Sequence, residues 1–143
     1  MRLEKTSKTK PNSRGGEGII GRHVFANLYG IDPEVLNDEE AMRSLILEAI
    51  RESGATLLEL RSWKIEGYHG GVSVIALVLE SHVSIHTWPE YRYCTVDVYT
   101  CGEKADPVKA LKYIISKLKP ESYVAFYADR SSSGEPKVTR IFL

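Results

Sequence analysis

The chain is short of most residues that announce a specialised class of protein. Cysteine appears twice in 143 residues, as Cys94 and Cys101. Neither belongs to a CxxC pair, so neither a disulfide framework nor a cysteine-based metal site is expected. Charge of one sign is not in excess: 19 Lys and Arg balance 19 Asp and Glu. That balance gives no basis for a nucleic-acid or membrane partner. No apolar run reaches membrane-spanning length, and the N-terminal stretch lacks a signal peptide's apolar core. A reducing cytoplasm is the expected location, with Cys101 a free thiol.

What is present suits one folded domain. With 43% hydrophobic residues in a chain of this length, a real core can form. Residues 1–18 are rich in Lys, Arg, Ser, Thr and Gly and cannot offset their ordering entropy, so a mobile basic tail is expected there. The remainder, 19–143, reads as a single domain.

Apolar spacing then divides the chain. Ile19 to Tyr29 is strand-like, with Val24, Phe25 and Leu28. Asn37 followed by Glu40 resembles a capping box, and Ala41, Met42, Leu45, Ile46, Ala49 and Ile50 recur at helical spacing up to Gly54. Residues 55–64 read as a second strand, and Lys64 to Gly71 as a glycine-rich loop. The aliphatic run Val72–Leu79 reads as a central strand. Asp106 and Pro107 cap and open a helix striped by Val108, Leu111, Ile114, Ile115 and Leu118. Tyr123–Ala128 is a further strand, and 138–143 a short last strand or a frayed end. The sum predicts an α+β two-layer sandwich: a mostly antiparallel sheet with two helices on one face.

Residues 80–102 are the chemically dense part. On either side of a Trp88–Arg92 turn, Val83 and Ile85 alternate with Ser84 and His86, then Val96 and Val98 alternate with Asp97 and Tyr99. Strands of this kind hold a serine, two histidines and a thiol at fixed positions. His82 and His86 have the spacing of ligands on a helix face. On a strand they stand about 13 Å apart at roughly 3.3 Å per residue, so no metal site is expected. Cys94 reads as a small buried residue, and Trp88 and Tyr91 as packing and turn residues.

Glu80-Ser81-His82, Ile85-His86-Thr87-Trp88-Pro89-Glu90-Tyr91 and Thr100-Cys101-Gly102 together resemble the signature of the prokaryotic S-adenosylmethionine decarboxylase family. That family includes an archaeal branch of pyruvoyl-dependent arginine decarboxylases. The resemblance spans about residues 20–129, and Gly21-Arg22-His23 is similar to the opening of the family's first strand.

The resemblance implies a self-made cofactor. Decarboxylation leaves a carbanion that no ordinary side chain absorbs. In the family, the serine corresponding to Ser81 attacks the carbonyl corresponding to Glu80. The chain then splits into pieces that are here 1–80 and 81–143, and residue 81 becomes a pyruvoyl group that forms a Schiff base with the substrate. His86 matches the processing histidine, which moves protons. Ser73 matches a serine that supports processing, and Cys101 matches the proton donor of catalysis. The family also implies a homodimer or higher oligomer of cleaved protomers, with active sites drawing on both copies.

Substrate choice rests on one segment. S-adenosylmethionine decarboxylases of the family usually carry Phe-x-Pro-x-Gly-Val-Ser-Gly there. This chain reads Glu66-Gly67-Tyr68-His69-Gly70-Gly71-Val72-Ser73-Val74 and lacks the Phe and the Pro. Tyr68 supplies an aromatic face for a purine only if the loop shifts. Ser62-Trp63-Lys64, the Gly70-Gly71-Val72-Ser73-Val74 run and Phe126-Tyr127-Ala128-Asp129-Arg130-Ser131-Ser132 look more like the arginine branch. Arginine, giving agmatine for polyamine synthesis, is therefore the favoured substrate, with S-adenosylmethionine the alternative. A guanidinium calls for a carboxylate, and Glu66 and Asp97 are candidates. Two readings of other kinds stay open: an uncleaved, inactive regulatory partner, and a small ferredoxin-like binding module. Both predict a single uncut chain.

Overall fold

Side chains alternating between apolar and polar at every second residue need a sheet with one dry face. The structure, a computed structural model, describes residues 18–143. The tail expected at 1–18 thus lies, but for Gly18, outside the described residues. Seven strands form: β1 (Gly21–Tyr29), β2 (Leu57–Ile65), β3 (Gly71–Val78), β4 (Ser81–Trp88), β5 (Tyr93–Cys101), β6 (Ser122–Asp129) and β7 (Lys137–Ile141). Their order in the sheet is β2-β3-β4-β5-β1-β6-β7, and every pairing is antiparallel. Gly71 is required where β3 meets β4, because a Cβ there would collide with the Thr87 carbonyl.

Helices α1 (Pro33–Leu36), α2 (Glu39–Ser53) and α3 (Pro107–Leu118) accompany the sheet among the described residues. Met42, Ile46 and Ala49 of α2 and Leu111 and Ile114 of α3 are buried with Val24, Leu28, Val74, Val83, Ile85, Val96 and Val98 of the sheet. This is the α+β two-layer sandwich read from the sequence. Each of the Val, Leu, Ile and Met side chains among them stabilises the fold by about 1.5–3 kcal/mol.

The start of the long helix differs from expectation. Asn37 does not cap it, because Asp32 and Pro33 first open the short α1, which closes at Asn37. Asp38 is the cap of α2, and its carboxylate accepts from the Ala41 amide at 3.0 Å. Asp106 caps α3 as expected, accepting from the Val108 and Lys109 amides. The turn after Trp88 is a short 3-10 segment, Pro89–Tyr91, closed by Arg92 at φ 52.

The sheet face away from the helices is uncovered in the single chain. Trp63, Ile75 and Leu77 on β2 and β3 are all exposed there. Among the described residues, no helix is long and apolar enough to cross a membrane.

Candidate active site

The β3–β4 connection is as tight as a hairpin allows. Val78 pairs with Ser81, leaving only Leu79 and Glu80 in the turn. Thr56 clamps both of them. Its carbonyl accepts from the Leu79 amide at 2.8 Å, and its amide donates to Glu80 Oε2 at 3.0 Å. Glu80 is buried, and its other oxygen, Oε1, has no partner.

Two features mark the Glu80–Ser81 bond. The Glu80 carbonyl accepts from the Cys101 amide at 2.7 Å, a donor placed as in an oxyanion hole. Ser81 holds φ 146, which L residues rarely adopt and which costs on the order of 1–3 kcal/mol. A polarised carbonyl beside a strained serine favours attack by that serine's oxygen.

Cys101 is half-buried at the end of β5, whereas Cys94 is fully buried. Burial pushes the Cys94 thiol up to about 12, which leaves it unreactive as an acid or nucleophile. Cys94 is thus the small buried residue expected from the sequence.

Ser73 and His86 form a second group. They are direct partners across β3 and β4, and Ser73 Oγ lies 2.8 Å from His86 Nδ1. Within one chain, however, this pair does not meet Ser81. His86 lies five steps along β4 from Ser81, about 16 Å at roughly 3.3 Å per residue.

Glu66 and Tyr68 are farther still. They occupy the β2–β3 loop, at the end of the sheet opposite the Leu79–Glu80 turn. Tyr68 is 82% exposed, with its ring against His69. Neither comes to Ser81 within the chain.

Asp97 lies on the uncovered sheet face and is hydrogen-bonded to His23 Nε2. Around this pair the structure gathers residues to which the sequence reading gave no role. Tyr99 packs against His23 at 5.6 Å between centroids and edge-on to His82 at 5.9 Å. The Arg130 guanidinium lies 4.4 Å over the Tyr99 ring. Burial lowers the His82 pKa; Asp97 opposes that shift, and His23 and Arg130 add to it. The signal available in the sequence was parity: His82 shares a strand face with His86, and Tyr99 with Asp97. Among the described residues, no group of three or more His, Cys, Asp or Glu is placed to hold a metal ion.

Comparison with known proteins shows the family and the fold. A model of the S-adenosylmethionine decarboxylase family matches residues 22–131. A protein of Hyperthermus butylicus named arginine decarboxylase proenzyme is 54% identical over 132 residues, 92% of this chain and 93% of that relative. One of the same name from Ignicoccus hospitalis is 55% identical over 136 residues, 95% of this chain and 92% of the relative. The crystal structure of an adenosylmethionine decarboxylase from Aquifex aeolicus superposes with a TM-score of 0.73 at 33% identity. It covers 80% of this chain and 92% of its own.

Proposed function

The chain belongs to the S-adenosylmethionine decarboxylase family, and from that premise we propose that it is a self-processing, pyruvoyl-dependent arginine decarboxylase yielding agmatine and carbon dioxide. The observation that carries the substrate is the pair of arginine decarboxylase proenzymes, matched at 54% and 55% identity over nearly their full length. The missing Phe and Pro before Ser73 point the same way.

Processing begins at the Leu79–Glu80 turn. Ser81 Oγ attacks the Glu80 carbonyl carbon while the Cys101 amide holds the oxygen on which charge develops. Scission yields chains 1–80 and 81–143. They stay together because β3 and β4 remain hydrogen-bonded from Ser73–His86 to Val78–Ser81.

The proton transfers need a base, and His86, oriented by Ser73, fits that role. Its separation from Ser81 along β4 supports a base supplied by a second copy. Two sheets stacked through their uncovered faces about a two-fold axis would reverse strand direction and bring the Ser73–His86 end of one copy to the Ser81 end of the other. Trp63, Ile75 and Leu77 supply the apolar surface that such stacking would bury. The same reversal carries Glu66 and Tyr68 toward the partner's site. The active unit in this reading is a homodimer or a higher oligomer.

The Ser81 position suits a pyruvoyl group: the Cys101 amide donates to the adjoining Glu80 carbonyl, and the residue before it and its cross-strand partner carry the unpartnered Glu80 Oε1 and Thr100 Oγ1. That group supplies the electron sink for the charge left as carbon dioxide departs. Cys101, one residue beyond Ser81's cross-strand partner, returns a proton to the substrate carbon. Asp97, oriented by His23, is the carboxylate best placed on this face for a guanidinium.

A second substrate, S-adenosylmethionine, is favoured by the name of the solved neighbour. Purified, self-processed protein offered labelled arginine and labelled S-adenosylmethionine in parallel separates the two. Carbon dioxide from arginine alone is expected. Release from the sulfonium compound alone would overturn the substrate.

A further inference from the structure

Among the described residues, three buried side-chain atoms lack a hydrogen-bond partner: Arg22 Nε, Glu80 Oε1 and Thr100 Oγ1. They are not scattered. Thr100 is the direct cross-strand partner of Ser81 on one side and of Arg22 on the other, and Glu80 precedes Ser81. Thr100 is completely buried. A hydroxyl held there unpaired is unfavourable, and residues that keep such a group call for an explanation.

Self-cleavage provides one, so the role of Thr100 rests on the self-processing proposed for this chain. In the acyl shift the Ser81 oxygen bonds to the Glu80 carbonyl carbon, the carbon–nitrogen bond breaks, and the hydroxyl proton passes to the Ser81 nitrogen. In the elimination a base takes the Ser81 α-proton and the bond between Ser81 Cβ and its oxygen breaks. The electron pair departs on that oxygen. Glu80 now ends in a carboxylate with one oxygen from its own carbonyl and one from Ser81. The dehydroalanine left at position 81 takes up water and releases ammonia to become the ketone.

The Cys101 amide already faces the first carboxylate oxygen. The second needs a donor of its own, since negative charge collects there as the bond breaks. Glu80 Oε1 can only accept when ionised. The unpartnered donors are Thr100 and Arg22, and Thr100 is the one opposite Ser81. Cβ atoms of directly opposed residues lie about 4.5–5.5 Å apart, within reach of two hydroxyls. Arg22, one strand farther, has its Nη2 held by the Gly102 and Ala105 carbonyls and contributes charge. We propose that the Thr100 hydroxyl donates to the former Ser81 oxygen as it leaves with Glu80, completing with the Cys101 amide a two-donor cradle for the new carboxylate.

The test compares Thr100→Val and Thr100→Ser with wild type, tracking scission by intact mass and probing uncut chain with hydroxylamine, which cleaves esters. In Thr100→Val the elimination should slow by about 100-fold or more, as for loss of one oxyanion donor. Uncut chain should accumulate as the ester, so hydroxylamine splits it between residues 80 and 81. Thr100→Ser, which keeps the hydroxyl, should cleave at close to the wild-type rate. Scission of Thr100→Val at the wild-type rate overturns the inference and leaves self-cleavage standing. So does an uncut, hydroxylamine-resistant Thr100→Val, which places the block before the ester. A Thr100→Ser protein as slow as Thr100→Val also overturns it, since the lost methyl would then be what matters. Wild type that never cleaves removes both this inference and the self-processing on which it rests.

Discussion

The Glu80 carbonyl and the Cys101 amide are joined by a 2.7 Å hydrogen bond, which ties the peptide bond proposed to break to the residue proposed as proton donor to the substrate. In that proposal Cys101 has two separable parts, a backbone donor for processing and a thiol for catalysis.

Cys101→Ala keeps the amide and removes the thiol. Scission should proceed at close to the wild-type rate, while decarboxylation falls about 100- to 10,000-fold, the usual worth of a general acid. Intact mass and carbon dioxide release measure the two separately. An uncut Cys101→Ala chain would contradict the division of roles.

The distance between His86 and Ser81 along β4 predicts complementation between copies. Ser81→Ala and His86→Ala should each remain uncut when made alone. Made together, they should form mixed dimers in which the intact Ser81 of one chain meets the intact His86 of the other. His86→Ala chains should then be cut. No scission in the mixture would mean that the base does not come from the second copy.

His82 makes stability depend on pH. Its folded-state pKa lies below the usual 6.5, chiefly through burial. The unfolded chain therefore binds its proton first as pH falls below 6.5, and stability declines until pH passes the lower, folded-state value. Urea midpoints for wild type should drop across that window more steeply than those for His82→Gln. Parallel slopes would exclude His82 as the source.

The two thiols should differ in reactivity. With Cys94 fully buried and pushed up to about 12, iodoacetamide at mildly alkaline pH should alkylate Cys101 in the native protein and leave Cys94 untouched until denaturant is added. Peptide mass mapping reads this directly, and equal labelling of both would contradict the described packing.

Much of this architecture was legible in the residues because it depends on local period. The stripe from Met42 to Ile50, the alternation about Val83 and Val96, and the Asp106-Pro107 cap each report their own neighbourhood. The candidate chemistry at Ser81, His86 and Cys101 came from the family motif. What stayed hidden depends on register or backbone geometry. The Cys101 amide reaches Glu80 only because β4 and β5 pair Ser81 with Thr100. The φ of Ser81 leaves no mark on its residue type. His23 and Asp97 lie 74 positions apart in sequence and meet because β1 and β5 are neighbours in the sheet. Glu66 and Tyr68, read as candidates from the chemistry of the substrate and from the family segment, lie within one chain at the end of the sheet opposite the Leu79–Glu80 turn, a placement that depends on strand connection and not on residue type. The cap moved from Asn37 to Asp38 because an extra turn of helix begins at Pro33.

The most direct test of self-processing is the intact mass of freshly purified wild-type protein under denaturing conditions, with borohydride added in the presence of arginine. Two fragments, ending at Glu80 and beginning at residue 81, are expected, with the substrate amine fixed to the second. A single intact 143-residue chain carrying no reducible adduct would contradict it.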